Sequence, residues 1–165
     1  MYEMRVYIAN LGKYVEGQLV GAWFTPPIDF DDMRSKIGLN DYYGEYAIHD
    51  YELPFEVDEY TSIEEINYLC GLVEELPEPI CSVVEDLIPV YGGLENLVEH
   101  ADDIIYYSNC DSISDLAYYL IDECSAFGEI PEAIQPYIDY EAYARDLELN
   151  SRFVLTSIGI FECPF

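Results

Sequence analysis

Apolar and polar positions alternate through the first third of the chain. MRVYIAN reads as a strand, QLVGAWFT resumes β-branched and aromatic side chains until Pro26 and Pro27 stop it, and EYAIHDYELPF reads as a third strand. Between the first two, NLGKYVEGQ supplies turn residues. DFDDMRSKIG has a helical pattern, with Asp29 placed as N-cap and Gly38 at the C-terminal stop. A small antiparallel sheet with one helix is predicted over 1–61.

The period then changes. Ser62 and Glu65 stand in capping-box register at the head of SIEEINYLCGLVEEL. Ile63, Ile66, Leu69, Cys70, Val73 and Leu76 recur there at helical spacing, with Glu64, Tyr68 and Glu75 on the opposite face. Pro77 and Pro79 end this helix; 80–88 is predicted as a second short one, broken by Pro89 and Gly92-Gly93, and LENLVEH as a third. A short-helix bundle is thus predicted over 62–103. From 104 onward the pattern predicts a strand at IIYY, a helix over 112–126 opened by Ser112 and Asp115, and a helix in YIDYEAYARDLEL capped by Asp139. RFVLTSIGIFECPF closes the chain as a β-branched strand assigned to the core. The fold class is α+β: three small consecutive units, the last a mixed α/β unit over 104–165.

Composition makes this a folded chain. Of 165 residues 51% are hydrophobic, with 17 Tyr and 7 Phe, whereas acidic disordered segments are poor in aromatics. The charge is the outlier, with 34 acids against 6 bases for a formal net charge of -28. No Lys or Arg occurs between Lys36 and Arg145, a window that holds 26 of the acids. Nucleic acid and anionic membranes need a basic patch and are excluded as direct partners. A basic protein is the natural partner.

Little points to catalysis or cofactors. The two histidines, His49 mid-strand and His100 near a helix end, read as structural. HExxH, GxxxxGK[ST], GxSxG and GxGxxG are absent, no carboxylate pair is marked out as an acid/base couple, and the chain is expected to be no enzyme, with no cofactor. Asp-rich stretches such as DEYTS and HADD offer hard oxygens, so a calcium-responsive acidic binding module is an alternative, although the EF-hand pattern is missing and no metal site is expected. The six bases are scattered, each suited to local pairing with an acid. Five cysteines at wide spacing are no disulfide framework, and MYEMRVYIANLGKYVEG lacks the apolar run of a signal peptide. A cytoplasmic protein with reduced, packed thiols is expected.

Solubility needs a net charge of only about 2 to 8 in a small domain. The excess costs something, too: Glu95 with Glu99, Glu99 with Asp103 and Asp111 with Asp115 stand four apart, and in a helix each like pair costs about 0.2–0.5 kcal/mol. A chain that keeps such penalties is constrained from outside. Duplex DNA carries one charge per about 1.7 Å, so 28 net charges match roughly 48 Å, or about 14 base pairs. A globule of 165 residues is about 40 Å across by the usual scaling, a comparable density. The surface therefore suits the groove of a DNA-binding enzyme. The partner-binding residues predicted are Glu64, Glu65, Glu74, Glu75, Glu78, Glu85, Asp86, Glu95, Glu99, Asp102, Asp103, Asp111, Asp115, Asp122, Glu123, Glu129 and Glu132. An acidic, chaperone-like partner of some other basic protein is the remaining alternative.

VYIANLGKYVEGQLVGAWFTPPID, YAIHDYELPF and YIDYEAYARDLEL closely resemble the ArdA antirestriction proteins of conjugative plasmids and transposons, the conjugative-transposon members in particular. The resemblance runs along essentially the whole chain. It implies a DNA mimic that occupies the DNA site in the methyltransferase core of type I restriction-modification enzymes. It also implies an elongated, curved homodimer joined through the C-terminal unit, without catalytic residues. The antirestriction motif of plasmid members falls near 126–139.

Overall fold

The computed structural model describes residues 3–150 and 152–164. Its first sheet forms around β1 (Arg5–Asn10), the central strand, with β2 (Gly21–Phe24) and β3 (Tyr46–Glu52) antiparallel on either side. Alternation decides the faces: Val6 and Ile8 point into the core and are fully buried, while Tyr7 faces outward edge-to-face with Trp23 at 5.5 Å. Gly21 has to be glycine, because a Cβ there would stand 2.7 Å from the Ile8 carbonyl oxygen.

A short helix, α1 (Leu11–Val15), occupies the segment read as turn residues. Five residues are too few for a helical period to register. It is nucleated by buried Asn10, whose Oδ1 accepts from the Lys13 amide at 3.1 Å while its Nδ2 donates to the Ile37 and Gly38 carbonyls at 3.0 and 3.2 Å. One polar side chain thus ties β1 to the end of α2 (Phe30–Ile37). As predicted, α2 is capped by Asp29, which accepts from the Asp32 amide at 2.8 Å, and stops at Gly38 in the left-handed region, φ 71°.

The helix α3 (Ile63–Glu75) is capped by Ser62 and buries Ile63, Ile66, Cys70 and Val73. Asn67 on its flank accepts from the Ile28 amide at 2.6 Å and donates to the Ile28 carbonyl at 2.9 Å, pairing the helix with the β2–α2 connection. The helix expected over 80–88 is two: α4 (Glu78–Cys81) and α5 (Val84–Tyr91), with α6 (Leu94–His100) after Gly92 and Gly93. Pro89 lies inside α5 rather than ending it. It sits on the exposed side, where a missing amide costs little, while Leu87 and Tyr91 on the other side stay buried.

Contacts gather the chain into two compact units, residues 1–98 and 99–165. In the second, β4 (Ile105–Tyr107), β6 (Gly159–Glu162) and β5 (Phe153–Thr156) form an antiparallel sheet in that order, together with α7 (Ile113–Asp122) and α8 (Tyr140–Leu149). Leu116, Ala117, Ala144, Leu147 and Ile160 share one core. Ser112 and Asp139 cap α7 and α8 as predicted, but α7 ends at Asp122, four residues short of the expected end, and Ser125 beyond it takes a positive φ of 52°. The terminal strand is instead a hairpin, because Thr156 Oγ1 donates to the Gly159 carbonyl at 2.8 Å and accepts from the Ile158 amide at 3.3 Å, closing a two-residue turn. Ile160, Phe161 and Cys163 are buried there; Phe165 lies outside the described residues. The fold is α+β.

Candidate partner-binding surface

Amphipathic helices that turn most of their apolar residues inward leave their acids outside. Each of the seventeen predicted acids is exposed. Glu64 and Glu65 lie in the first turn of α3, Glu74 and Glu75 at its end, Glu78 opens α4, and Glu85 and Asp86 open α5. Glu95 and Glu99 are on α6, and Asp102 and Asp103 form a 3-10 turn after it. Asp111 precedes α7, Asp115 is in its first turn, Asp122 ends it and Glu123 is its C-cap residue; Glu129 and Glu132 follow in an irregular segment.

Acids in a first turn complement the positive end of the helix dipole. Those at the other end oppose it. α3 finishes on Glu74 and Glu75, α7 on Asp122 with Glu123 next, and neither has a base in its last turn. This frustration is plainer than the one expected from like-charge pairs. Of the three pairs, only Glu95 and Glu99 lie within a single α-helix; Asp103 belongs to the 3-10 turn, and Asp111 lies before α7, its amide donating to Asp115 Oδ2 at 3.2 Å.

The fold brings some of these residues together from distant parts of the chain. Glu65 and Glu95 line one shallow groove of about 280 Å³ with Gly92, Gly93 and Asn96, and Asp122 and Glu129 line another of about 230 Å³. The first grouping joins residues far apart in the chain, which sequence spacing does not reveal; the second lies within 121–135. Nor does spacing reveal the hydroxyls that hold carboxylates: Tyr140 donates to Asp122 Oδ1 at 2.8 Å, Tyr43 to Glu16 at 2.7 Å, Tyr107 to Glu162 at 2.8 Å and Ser114 to Glu141 at 2.9 Å. Hydrogen bonding to a carboxylate pushes the Tyr43, Tyr68 and Tyr140 phenols above their ordinary range. For Tyr107 desolvation is the larger cause and the Glu162 bond adds to it.

The bases lie elsewhere. Arg5 Nη2 reaches Glu52 at 2.7 Å beneath the Trp23 ring, Lys36 Nζ reaches Asp32 at 3.0 Å and Arg152 Nη1 stands 3.7 Å from Glu162. Lys13 instead lies over the Tyr43 ring at 5.6 Å, and Arg34 Nε donates to the Leu39 carbonyl at 3.4 Å. The acids in these ion pairs are not among the seventeen.

Of the histidines, His49 is exposed on β3 against Tyr14, and His100 is the last residue of α6. Cys70, Cys81, Cys110 and Cys163 are buried thiols, and burial pushes Cys70 up to about 12; Cys124 is exposed, contrary to the expectation of packing. Among the described residues no three Asp, Glu, His or Cys side chains converge as a metal cage, and no helix is long and apolar enough to cross a membrane. The 126–139 segment exposes Phe127, Ile134 and Tyr137. The arrangement holds negative charge outward, most of it on helices.

No curated protein matches the chain. A surface this acidic, on an α+β frame with the strand and helix texts quoted above, agrees with the family model that does match it: over residues 6–162, nearly the entire length, the chain fits the antirestriction protein (ArdA) model, and it belongs to that family.

Proposed function

We propose that this antirestriction protein is a non-enzymatic mimic of double-stranded DNA, occupying the DNA groove of the methyltransferase core of type I restriction-modification enzymes in the cytoplasm. The observation that carries the reading is the placement of Glu74, Glu75, Asp122 and Glu123 at helix ends where their charge opposes the dipole, with no base in either last turn. Folding alone favours Lys or Arg at those positions. Retaining acids there makes sense where an external basic groove supplies the compensating interaction, through steering and release of the anions that groove holds. The seventeen acids act collectively, since exposed charges are individually weak.

The working form in this reading is a homodimer joined through the C-terminal part of the chain. Ile105, Phe127, Ile134, Tyr137, Leu149 and Leu155, all within residues 99–165 and between 48% and 85% exposed, are the candidates for that contact.

Competition is the direct test. A type I methyltransferase is loaded with fluorescent cognate duplex and titrated with the protein: the duplex is displaced, and the protein's apparent affinity falls steeply between low and moderate salt. A ternary complex of methyltransferase, duplex and this chain would rule the mechanism out.

A further inference from the structure

A lysine or arginine beside a surface carboxylate orients it and cancels its charge in the same stroke. A phenol hydroxyl orients it and leaves the charge whole, because it is neutral well beyond physiological pH. We propose that tyrosines serve as charge-preserving clamps on the partner-facing carboxylates: Tyr68 on α3 holds Glu95 on α6, and Tyr140 on α8 holds Asp122 at the end of α7.

The geometry is explicit at Asp122, and at Glu95 it brings the two helices side by side, Glu65 and Leu69 of α3 lining one groove with Glu95 of α6. Asp122 Oδ1 accepts from the Tyr140 hydroxyl at 2.8 Å. The Tyr140 ring is itself fixed, stacked on Tyr118 with centroids 4.0 Å apart and planes 5° from parallel. Tyr118 precedes Asp122 by four residues on α7, so ring and carboxylate belong to one helix face. The clamp therefore has a base plate. Tyr68 is 54% exposed, so its ring contributes modestly to the core, and the Glu95 carboxylate, 27 residues further on, pushes its phenol above the ordinary range. Tyr43 on Glu16 repeats the device outside the predicted surface. A tyrosine ring turns about two torsions only, so the hold costs less side-chain entropy than a lysine would. A carboxylate with a fixed direction meets a rigid row of basic side chains without an ordering penalty at binding.

This inference rests on the DNA-mimic reading, and a mutant cycle separates the two. The full-length chain is made as Y68F/Y140F, as E95Q/D122N and as all four substitutions together. Each is assayed by displacement of fluorescent cognate duplex from a type I methyltransferase at one fixed salt concentration. Phenylalanine keeps the rings and the stack on Tyr118, so circular dichroism stays at the parent values and Tm falls only by the loss of two exposed hydroxyl contacts; Y68F and Y140F made singly guard against loss of either ring environment. The double tyrosine variant should bind about 2- to 30-fold more weakly, the range for two exposed charged contacts, although its net charge is unchanged. In the E95Q/D122N background the same two changes should cost nothing further, since a clamp has no role without its carboxylate. A purely structural tyrosine would not show that dependence. Binding of Y68F/Y140F at the parent affinity, or an equal loss in both backgrounds, would overturn the clamp while leaving the mimic intact. Unchanged binding after E95Q/D122N and after wider neutralisation of the seventeen acids would overturn both.

Discussion

Glu75→Lys sets stability against function in a single substitution. Glu75 is the exposed last residue of α3, in a final turn with no base. An acid there works against the helix dipole by about 0.3–1 kcal/mol, and a cation gains about as much, so the exchange should stabilise the fold by about 0.6–2 kcal/mol. For a chain of this size that corresponds to a rise in Tm of about 1 to 8 °C. Glu75→Gln should give about half, since it removes the penalty without adding the gain. The measurement is thermal unfolding by circular dichroism at about 0.01 M and about 1 M salt, where the screening length falls from about 30 to about 3 Å and the advantage of the lysine should largely vanish. Displacement of duplex from the methyltransferase, run on the same samples, should weaken. A lysine variant no more stable than the parent at low salt would refute the dipole argument. One that is more stable and inhibits equally well would mean that position 75 is free of the constraint argued for it.

Phe161 on β6 is fully buried against Tyr106, so Phe161→Ala should cost about 3–5 kcal/mol, read as a lower urea midpoint; a loss under about 1 kcal/mol would place Phe161 outside the core. With native protein a thiol reagent should modify Cys124 quickly and the four buried cysteines only in denaturant, Cys70 being further protected by a thiol pushed up to about 12; fast labelling of more than one thiol would contradict the burial. The phenols of Tyr43, Tyr68 and Tyr140 are raised by their carboxylates, so their protonated form is favoured in the fold. Their contribution is fully present below the unfolded value near about 10 and is lost as pH rises through the raised folded values. Tm should therefore decline above that pH while absorbance near the tyrosinate band lags behind that of unfolded chain, and a single tyrosine titration identical in both states would dismiss the hydrogen bonds.

Local chemistry was legible in advance. The caps at Asp29, Ser62, Ser112 and Asp139 each satisfy an amide three residues away, so their signal needs no tertiary partner. The buried stripe of α3 and the inward residues of β1 follow from period in the same way. Other elements escaped because a nonlocal contact outweighed a local cue. α1 depends on Asn10, whose amide is engaged by the end of α2; Pro89 stays helical because its side of α5 is wet; and the last strand folds back at a turn that Thr156 and Gly159 close.

Exposure of the acids was settled by sequence alone, since a carboxylate without a base cannot be buried at tolerable cost and the chain has almost no bases to spare. Charge, class and the rows of acids on each helix were therefore written in composition and spacing. The tertiary structure alone decided that Glu65 and Glu95 line one groove and that Tyr140 holds Asp122, because each pairing forms only after separate helices pack. A sequence states how much charge a surface must carry; the direction in which each charge points depends on neighbours that folding alone supplies.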